Sequence, residues 1–159
     1  MEIRRVGPDD WALLRDVRLQ ALSDAPEAFG STYAREVDFD ETEWRRRAET
    51  NGWFLASDAD QPVGIVAGYR DSEAPAPQRH LVAMWVAPVA RGSGVAHRLI
   101  DAVVDWARAD GASELTLGVA DGNERAAALY RRYGFVATDQ TFPLHSDLSR
   151  CMRIYALRV

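Results

Sequence analysis

The segment from Leu81 to Phe135 constrains the fold most, because strand-like and helix-like patterns alternate in it around a glycine-rich turn. Leu81–Ala87 is an almost continuous apolar run, typical of a central strand covered on both faces. Apolar residues recur at helical spacing from Gly94 to Ala109, and a second strand (Leu115–Val119) and helix (Glu124–Tyr133) follow. This order of elements predicts an α/β fold.

The flanking segments predict further elements. Before the core, the sequence predicts a strand at Met1–Val6, a helix opened by Pro8 and capped by Asp9 or Asp10, and a loop at Pro26–Thr32. A second helix starts at Asp40 and is ended by Gly52, and a hairpin of Trp53–Ser57 and Val63–Tyr69 follows it. After the core, two last strands are predicted at Phe135–Thr138 and Met152–Leu157. A strand meander before the core and an antiparallel pair after it favour a mixed sheet over an all-parallel one.

The turn Pro88–Ala96 joins the first strand of this core to its first helix. Gly92 and Gly94 let the backbone adopt conformations closed to other residues and approach a ligand closely. Unpaired N–H groups at a helix N-terminus attract anions, and Arg91 could add a charged contact. The turn therefore indicates a phosphate-bearing cofactor, with an ordinary strand-to-helix turn as the alternative. It is neither a Walker A loop nor a G-x-G-x-x-G fingerprint.

Composition excludes several classes of protein. The 159 residues are 47% apolar and 27% charged, as expected for one globular domain. A net charge of −5 without a basic run argues against nucleic acid as a partner. No stretch approaches the roughly 18 apolar residues of a membrane helix, and the N-terminus lacks a signal-peptide pattern, which predicts a cytoplasmic protein. The single cysteine, Cys151, cannot form an intrachain disulfide or a zinc site by itself, and no metal is expected.

Two motifs at family-like separation carry a resemblance to a known family. R-x-x-G-x-A spans Arg91–Ala96, and N-x-x-A-x-x-L-Y-x-x-x-G-F spans Asn123–Phe135. Strand, turn, helix, strand and second motif together resemble the acetyl-coenzyme A core of the GNAT superfamily of N-acetyltransferases. The resemblance implies a GNAT-like α/β fold: a mixed, mostly antiparallel central sheet, helices on both faces and a splayed central strand pair. It also implies one domain, with a cofactor core at about 81–135 and acceptor-side elements at about 9–50 and 139–150.

The resemblance also implies an acetyl-coenzyme A site, with the cofactor acting as cosubstrate. The main chain of Trp85 and Val86 is expected to pair with the pantetheine arm as an added strand, which requires the two core strands to separate. Asn123 is expected to hydrogen-bond the pantetheine. The pyrophosphate is expected on the backbone N–H groups of Arg91, Gly92, Ser93, Gly94, Val95 and Ala96.

The reacting groups are less specific in the sequence. Tyr130 matches the family tyrosine that protonates the departing sulfur, and a phenol with a pKa of about 10 is protonated at neutral pH. The alternative is a core aromatic residue. His80 is a candidate base, although a surface histidine and a water chain without a dedicated base are open alternatives. Other candidate bases are Glu36, Asp71 and Glu73. His97 could lie near phosphate or face solvent, and the sequence His145-Ser146-Asp147 is not a hydrolase triad.

The resemblance places the acceptor side at roughly Asp24–Trp44 and Phe142–Ser149, where Phe29, Tyr33 and Glu36 are candidate acceptor contacts. From Asp24 to Glu43 acids outnumber Arg35 seven to one, which favours a cationic amine unless the acids serve mainly as helix caps. We therefore expect an acetyl-coenzyme A-dependent N-acetyltransferase that uses direct transfer to a small-molecule or peptide primary amine. The alternative is a non-catalytic acyl-coenzyme A binding or sensing module. A homodimer is compatible with the resemblance. Acceptor identity and acyl length stay open.

Overall fold

The computed structural model describes residues 1–144 and 147–159, and its elements follow the order that the sequence predicts. Five α-helices and seven strands are described. The helices are α1 Trp11–Asp24, α2 Tyr33–Glu36, α3 Glu41–Thr50, α4 Val95–Ala109 and α5 Glu124–Tyr133, and the strands are β1 Glu2–Arg5, β2 Gly52–Asp58, β3 Gln61–Tyr69, β4 Gln78–Val86, β5 Glu114–Ala120, β6 Val136–Pro143 and β7 Cys151–Arg158.

One sheet contains all seven strands in the order β1-β2-β3-β4-β5-β7-β6. Every neighbouring pair is antiparallel except β4 and β5. Those two run parallel and pair only where Gln78–His80 faces Glu114–Thr116. Beyond this point they diverge, so the predicted mixed sheet with a splayed central pair is confirmed.

The helix α4 lies close against β3 because two glycines of that strand face it. A Cβ on Gly68 would lie 2.5 Å from the Trp106 ring, and one on Gly64 would lie 3.0 Å from Leu99. β3 is buried continuously from residue 63 to 68, so both of its faces are covered, and α1 also contacts it. A central strand of this kind reads as an apolar run without alternation.

Gly52 has a different role from the predicted helix stop. It is the first residue of β2, and α3 ends before it, with Asn51 as its C-cap. A Cβ on Gly52 would lie 2.8 Å from the Trp106 side chain. The glycine is therefore needed for packing against α4.

The helix starts also differ from the prediction. A 3-10 turn at Pro8–Asp10 precedes α1, and no side chain caps that helix. The Asp10 carboxylate instead accepts the N–H of Gly7 at 3.0 Å and contacts Arg4. The short helix α2, capped by Thr32, was not predicted, because a single turn gives no periodic pattern.

Two strands extend further than their hydrophobic patterns indicate. β4 begins at Gln78 rather than Leu81, and β6 runs to Pro143 rather than Thr138. In β4 the added residues are the ones that pair with β5, and they include the buried Arg79. Polar residues in a ladder do not produce an apolar run, so pattern alone places these boundaries poorly.

Candidate functional site

A cleft of about 680 Å³ opens where β4 and β5 diverge. Five parts of the chain line it: the end of α1 with the loop after it, β4, the glycine-rich turn, β5 and α5. The lining residues are Asp24, Ala25, Glu27–Phe29, Leu81–Val86, Ala90–Gly92, Gly94–His97, Leu117–Ala120, Asn123, Arg125, Ala126, Leu129, Tyr130 and Arg132. The cleft therefore joins the predicted cofactor core to part of the predicted acceptor side.

The β4 wall of the cleft contains a bulge. Ala83 has a φ of 60°, and the pairing register with β3 shifts between Ile65 and Ala67. Residues other than glycine are strained when φ lies in the left-handed region, and such residues cluster at bulges and functional sites. Trp85 and Val86 follow the bulge and pair with β3 on their other side. The bulge therefore re-aims β4 in the part that lines the cleft.

The turn after β4 is shaped by glycines in the left-handed region. Gly92 has a φ of 81°, and Gly94, the N-cap of α4, has a φ of 86°. A Cβ at either position would meet nothing within 4 Å, so glycine is needed here for the positive φ and not for lack of room. Open space therefore lies beside the turn.

Most of the N–H groups of this turn point away from internal acceptors. Arg91 and Ser93 donate weakly to the carbonyls of Pro88 and Ala90, at 3.3 and 3.4 Å. Across the described ranges no acceptor is found for the other predicted donors, which are Gly92, Gly94, Val95 and Ala96. Unsatisfied N–H groups at a helix start form a site that fits an anion, so the turn fits a pyrophosphate.

Asn123 lines the cleft and also begins α5. Its Oδ1 accepts the backbone N–H of Ala126 at 3.2 Å, so the side chain is the N-cap of that helix. This bond uses the carbonyl oxygen of the amide and leaves its NH₂ group available as a donor. The capping role was not part of the sequence prediction.

Tyr130 lies at the inner wall of the cleft and is only 6% exposed. Its ring meets Phe135 edge-on, with centroids 5.7 Å apart. Burial raises the pKa of the Tyr130 phenol above its ordinary value. The hydroxyl is therefore protonated throughout the neutral range and can act as a donor.

His80 lies at the vertex where β4 and β5 begin to separate, and it is not among the described residues that line the cleft. Its Nδ1 is hydrogen-bonded to Thr116, its ring packs on Tyr69, and its Nε2 is buried with no partner in the described chain. Burial lowers the pKa of His80, although the charges of Asp71 and Glu114 oppose this effect. The imidazole is therefore neutral at pH 7.

The structure places one of the three predicted acceptor contacts in the cleft wall and the other two outside the described cleft lining. Phe29 is buried in the cleft wall, under the guanidinium of Arg18. Tyr33 is 47% exposed, and neither it nor Glu36 belongs to the described cleft lining. Asp71 and Glu73 also lie outside that lining.

Glu36 is fully buried in an ion-pair cluster. Arg18 binds it through two hydrogen bonds of 3.0 and 2.9 Å, and Arg47 adds a third at 2.8 Å. Burial alone would raise the pKa of Glu36, but the hydrogen bonds and charge of Arg18, with the charge of Arg47, hold it below its ordinary value. The structure therefore gives the carboxylate a structural partner set away from the cleft, and its contact with an acceptor stays a prediction.

The neighbouring acids are also largely neutralised within the protein. Glu43 binds Arg46 and Arg47, which lower its pKa to about 2, and Glu41 pairs with Arg45. The Asp40 carboxylate caps α3 by accepting the N–H of Glu43 at 2.9 Å. The acid-rich segment is therefore not the open negative field that its composition indicates.

Several cleft residues were missed at the sequence level. Arg125 and Arg132 line the cleft at unspecified positions of the second motif, and Asp24 and Glu27, which also line it, are expected from the sequence only as members of the acid-rich segment. Spacing could have found the two arginines, because residues seven apart share one face of a helix. His97 lines the cleft and packs on Tyr133 of α5, with centroids 5.1 Å apart. The predicted loop residues His145 and Ser146 lie outside the described residues.

Residues 1–144 and 147–159 contain no cluster of three or more His, Cys, Asp or Glu side chains that could hold a metal ion. Within the same residues, no helix combines the length and the apolar character needed to cross a bilayer.

The fold and the cleft together define an α/β protein whose cleft is bordered by a turn with four backbone N–H groups that have no acceptor in the described chain. The chain belongs to the Acetyltransferase (GNAT) family, whose family model matches residues 18–135. It is 30% identical over 91 residues, or 56% of its length, to the peptidyl-lysine N-acetyltransferase YjaB of Escherichia coli. The chain spans about half the length of the curated relatives it matches.

Solved structures share the fold at low identity. A GNAT-family acetyltransferase of Streptococcus pneumoniae superposes with a TM-score of 0.83 at 20% identity, over 99% of this chain and 98% of the other. The yncA protein of Salmonella typhimurium, solved with its cofactor acetyl-CoA, gives 0.77 at 16% identity, over 99% and 93%. At such identities the likeness concerns the fold alone.

Proposed function

We propose that this chain is an acetyl-coenzyme A-dependent N-acetyltransferase that transfers the acetyl group directly to a primary amine in a ternary complex. One observation carries the proposal: the cleft between diverging strands ends at a turn where the N–H groups of Gly92, Gly94, Val95 and Ala96 have no acceptor in the described chain. Family membership supports the same activity. The described chain would act as one acetyltransferase domain.

The cofactor would lie along β4 and end at the turn. The N–H groups of Gly92, Gly94, Val95 and Ala96 would bind the pyrophosphate, helped by the partial positive charge at the start of α4. The main chain of Trp85 and Val86 would pair with the pantetheine amides, and the NH₂ group of Asn123 would donate to them. When bound, the thioester supplies the activated acetyl group.

Tyr130 would act as the general acid. As the amine nitrogen forms its bond to the acetyl carbon and the C–S bond breaks, the sulfur gains negative charge and takes the phenolic proton. The raised pKa of Tyr130 keeps the phenol protonated at neutral pH and also makes it a weaker acid, so proton transfer would depend on the negative charge that the sulfur gains as the C–S bond breaks. The proton that the amine nitrogen loses would return through water to the Tyr130 phenolate and restore the hydroxyl for the next turnover. Holding both reactants in one cleft supplies much of the rate.

The role of His80 as the general base stays a prediction. Its neutral imidazole and buried, unpartnered Nε2 suit a proton acceptor. Its place at the vertex, outside the described cleft lining, means that a water chain would have to connect it to the amine. A route through water alone is the competing proposal, since apo geometry does not decide between them.

A primary amine is proposed as the acceptor because the relative from Escherichia coli is named for peptidyl-lysine acetylation. A lysine side chain and a small-molecule amine present the same nucleophile. The acceptor would enter beside Phe29 and Glu27, which line the cleft on the side of α1.

The test combines binding with turnover. Calorimetric titration with coenzyme A should show binding to the wild type, and a panel of small amines and lysine peptides with acetyl-coenzyme A should release free thiol in an amine-dependent manner. Coenzyme A binding without thiol release across the panel would favour the non-catalytic binding or sensing module. The absence of coenzyme A binding would refute both.

A further inference from the structure

Asp24 connects three parts of the cleft through a single carboxylate oxygen. It is the last residue of α1, and its Oδ2 accepts the indole N–H of Trp85 at 2.9 Å and Nη2 of Arg91 at 2.9 Å. The Nε of Arg91 also donates to the carbonyl of Val86 at 3.0 Å. The acceptor-side helix, the cofactor strand and the glycine-rich turn therefore meet at this carboxylate.

Stability alone does not account for this arrangement. The Arg91 and Asp24 side chains are 34% and 28% exposed, and ion pairs that reach solvent contribute about 1 kcal/mol or less. The buried indoles of Trp44 and Trp53 have no acceptor in the described chain, so this fold does not require one for every indole. The Trp85 bond is thus a specific connection between β4 and α1.

We propose that Asp24 is a positioning residue that couples the acceptor wall to the cofactor strand and turn. This role rests on the proposed acetyltransferase activity, and it belongs to a residue that neither sequence motif contains. Trp85 and Arg91 belong to the strand and the turn that would hold the pantetheine arm and the pyrophosphate, while Asp24 precedes the loop that carries Glu27 and Phe29. Its carboxylate would therefore set the distance between the acetyl group and the amine.

This role predicts loss of turnover with little loss of cofactor affinity. The turn binds phosphate through backbone N–H groups, which Asp24 does not touch. Productive transfer depends on near-attack geometry, and a misplacement of about 1 Å can cost about 10²-fold in rate. Removing the carboxylate should thus lower kcat far more than it raises the dissociation constant for coenzyme A.

Two substitutions separate the connections. Asp24→Asn keeps an oxygen that can accept from Trp85 but removes the charge that faces Arg91, and Asp24→Ala removes both. Asp16→Asn is the matched control, because Asp16 lies on the same helix, is 65% exposed and pairs with Arg15 at 2.9 Å. Far-UV circular dichroism and thermal melting establish that each variant folds.

The connection itself can be observed without cofactor or acceptor. The indole N–H of Trp85 gives one of five tryptophan side-chain signals in a ¹⁵N-labelled sample, assigned through Trp85→Phe. Arg91→Gln should move this signal in the wild-type background, because both residues share Oδ2 of Asp24. The same substitution should leave it unmoved in the Asp24→Asn background. Equal movement in both backgrounds would overturn the coupling.

Kinetics then test the consequence. With the best amine of the panel, we expect kcat to fall about 3- to 10-fold in Asp24→Asn and about 10- to 100-fold in Asp24→Ala. Calorimetry should give coenzyme A dissociation constants within about threefold of wild type, and Asp16→Asn should match wild type throughout. Wild-type kcat in a folded Asp24→Ala protein would refute the role. Failure of the wild type to bind coenzyme A would instead refute the proposed function.

Discussion

The cofactor side of the cleft and its acceptor side are built by different physical means. The turn after β4 presents backbone N–H groups held by two left-handed glycines. The acceptor side is rich in charged side chains, but Glu36, Glu41 and Glu43 are bound to arginines of the same protein. A backbone site depends on local sequence, whereas the buried state of Glu36 depends on Arg18, which lies 18 residues away in the chain.

The largest expected effect tests whether the cofactor side also performs the chemistry. Tyr130→Phe removes the hydroxyl and keeps the ring that packs on Phe135. Loss of a general acid typically costs about 10²–10⁴-fold in rate, so kcat should fall by that range while coenzyme A affinity stays near wild type. Single-turnover thiol release and calorimetry measure the two quantities. Unchanged single-turnover rates would leave Tyr130 with a packing role only.

Glu36→Gln tests the claim that the acceptor-side charge is structural. The substitution leaves the buried Arg18 without its anion, so the free energy of unfolding should fall by about 3–5 kcal/mol. For a domain of this size the melting temperature should fall by about 6–20 °C. Glu41→Gln, at a half-exposed pair with Arg45, is the control and should change stability by about 0.5 kcal/mol or less.

The same variant has a pH signature. Because the folded pKa of Glu36 is lowered, its contribution to stability is fully present above the ordinary carboxylate pKa. The contribution is lost as the pH falls through the lowered pKa of the folded state. The stability gap between wild type and Glu36→Gln should therefore be widest near neutrality and shrink in acid. A gap that is constant from pH 7 to pH 3 would contradict the assignment.

Gly94→Val tests the backbone character of the phosphate site. At a φ of 86° a branched residue is strained, and its side chain would enter the open space beside the turn. Coenzyme A affinity should fall at least about tenfold, or about 1.4 kcal/mol. Gly111→Val is a control for strain alone, since Gly111 has a φ of 83° outside the cleft lining. Equal coenzyme A affinity in the two variants would argue against the site.

The smallest effect concerns long-range attraction of a cationic acceptor. Because most acids of the 24–43 segment are paired, raising the salt concentration should lower kcat/KM for the amine by no more than about threefold. Glu27→Gln, in the cleft, should account for most of that dependence, and Asp38→Asn for little. A steep salt dependence in both variants would restore the open negative field that the composition suggests.

The sequence predictions were more accurate for the cofactor side of the cleft than for its acceptor side. Apolar periodicity and glycine placement identified α4, β5 and α5, because both are local properties of the chain. They could not identify the buried state of Glu36, whose partner Arg18 belongs to another helix. Nor could they identify Asp24, whose partner Arg91 is 67 residues away. The roles assigned to Trp85, Asn123, Tyr130 and His80, together with homodimerisation, cytoplasmic location and the absence of nucleic acid partners, stay predictions.

The short pairing of β4 with β5 gives the molecule a seam. In the described chain, three ladder pairs join the strands β1–β4 to the β5-β7-β6 group, and the chain crosses between the groups only after α4. Because antiparallel ladders join the strands within each group, we expect the two groups to exchange their amide hydrogens as separate units. A ligand bound between β4 and β5 would contact both groups of strands. Its binding should slow amide exchange on both sides, including in β6 and β7, which do not touch the cleft.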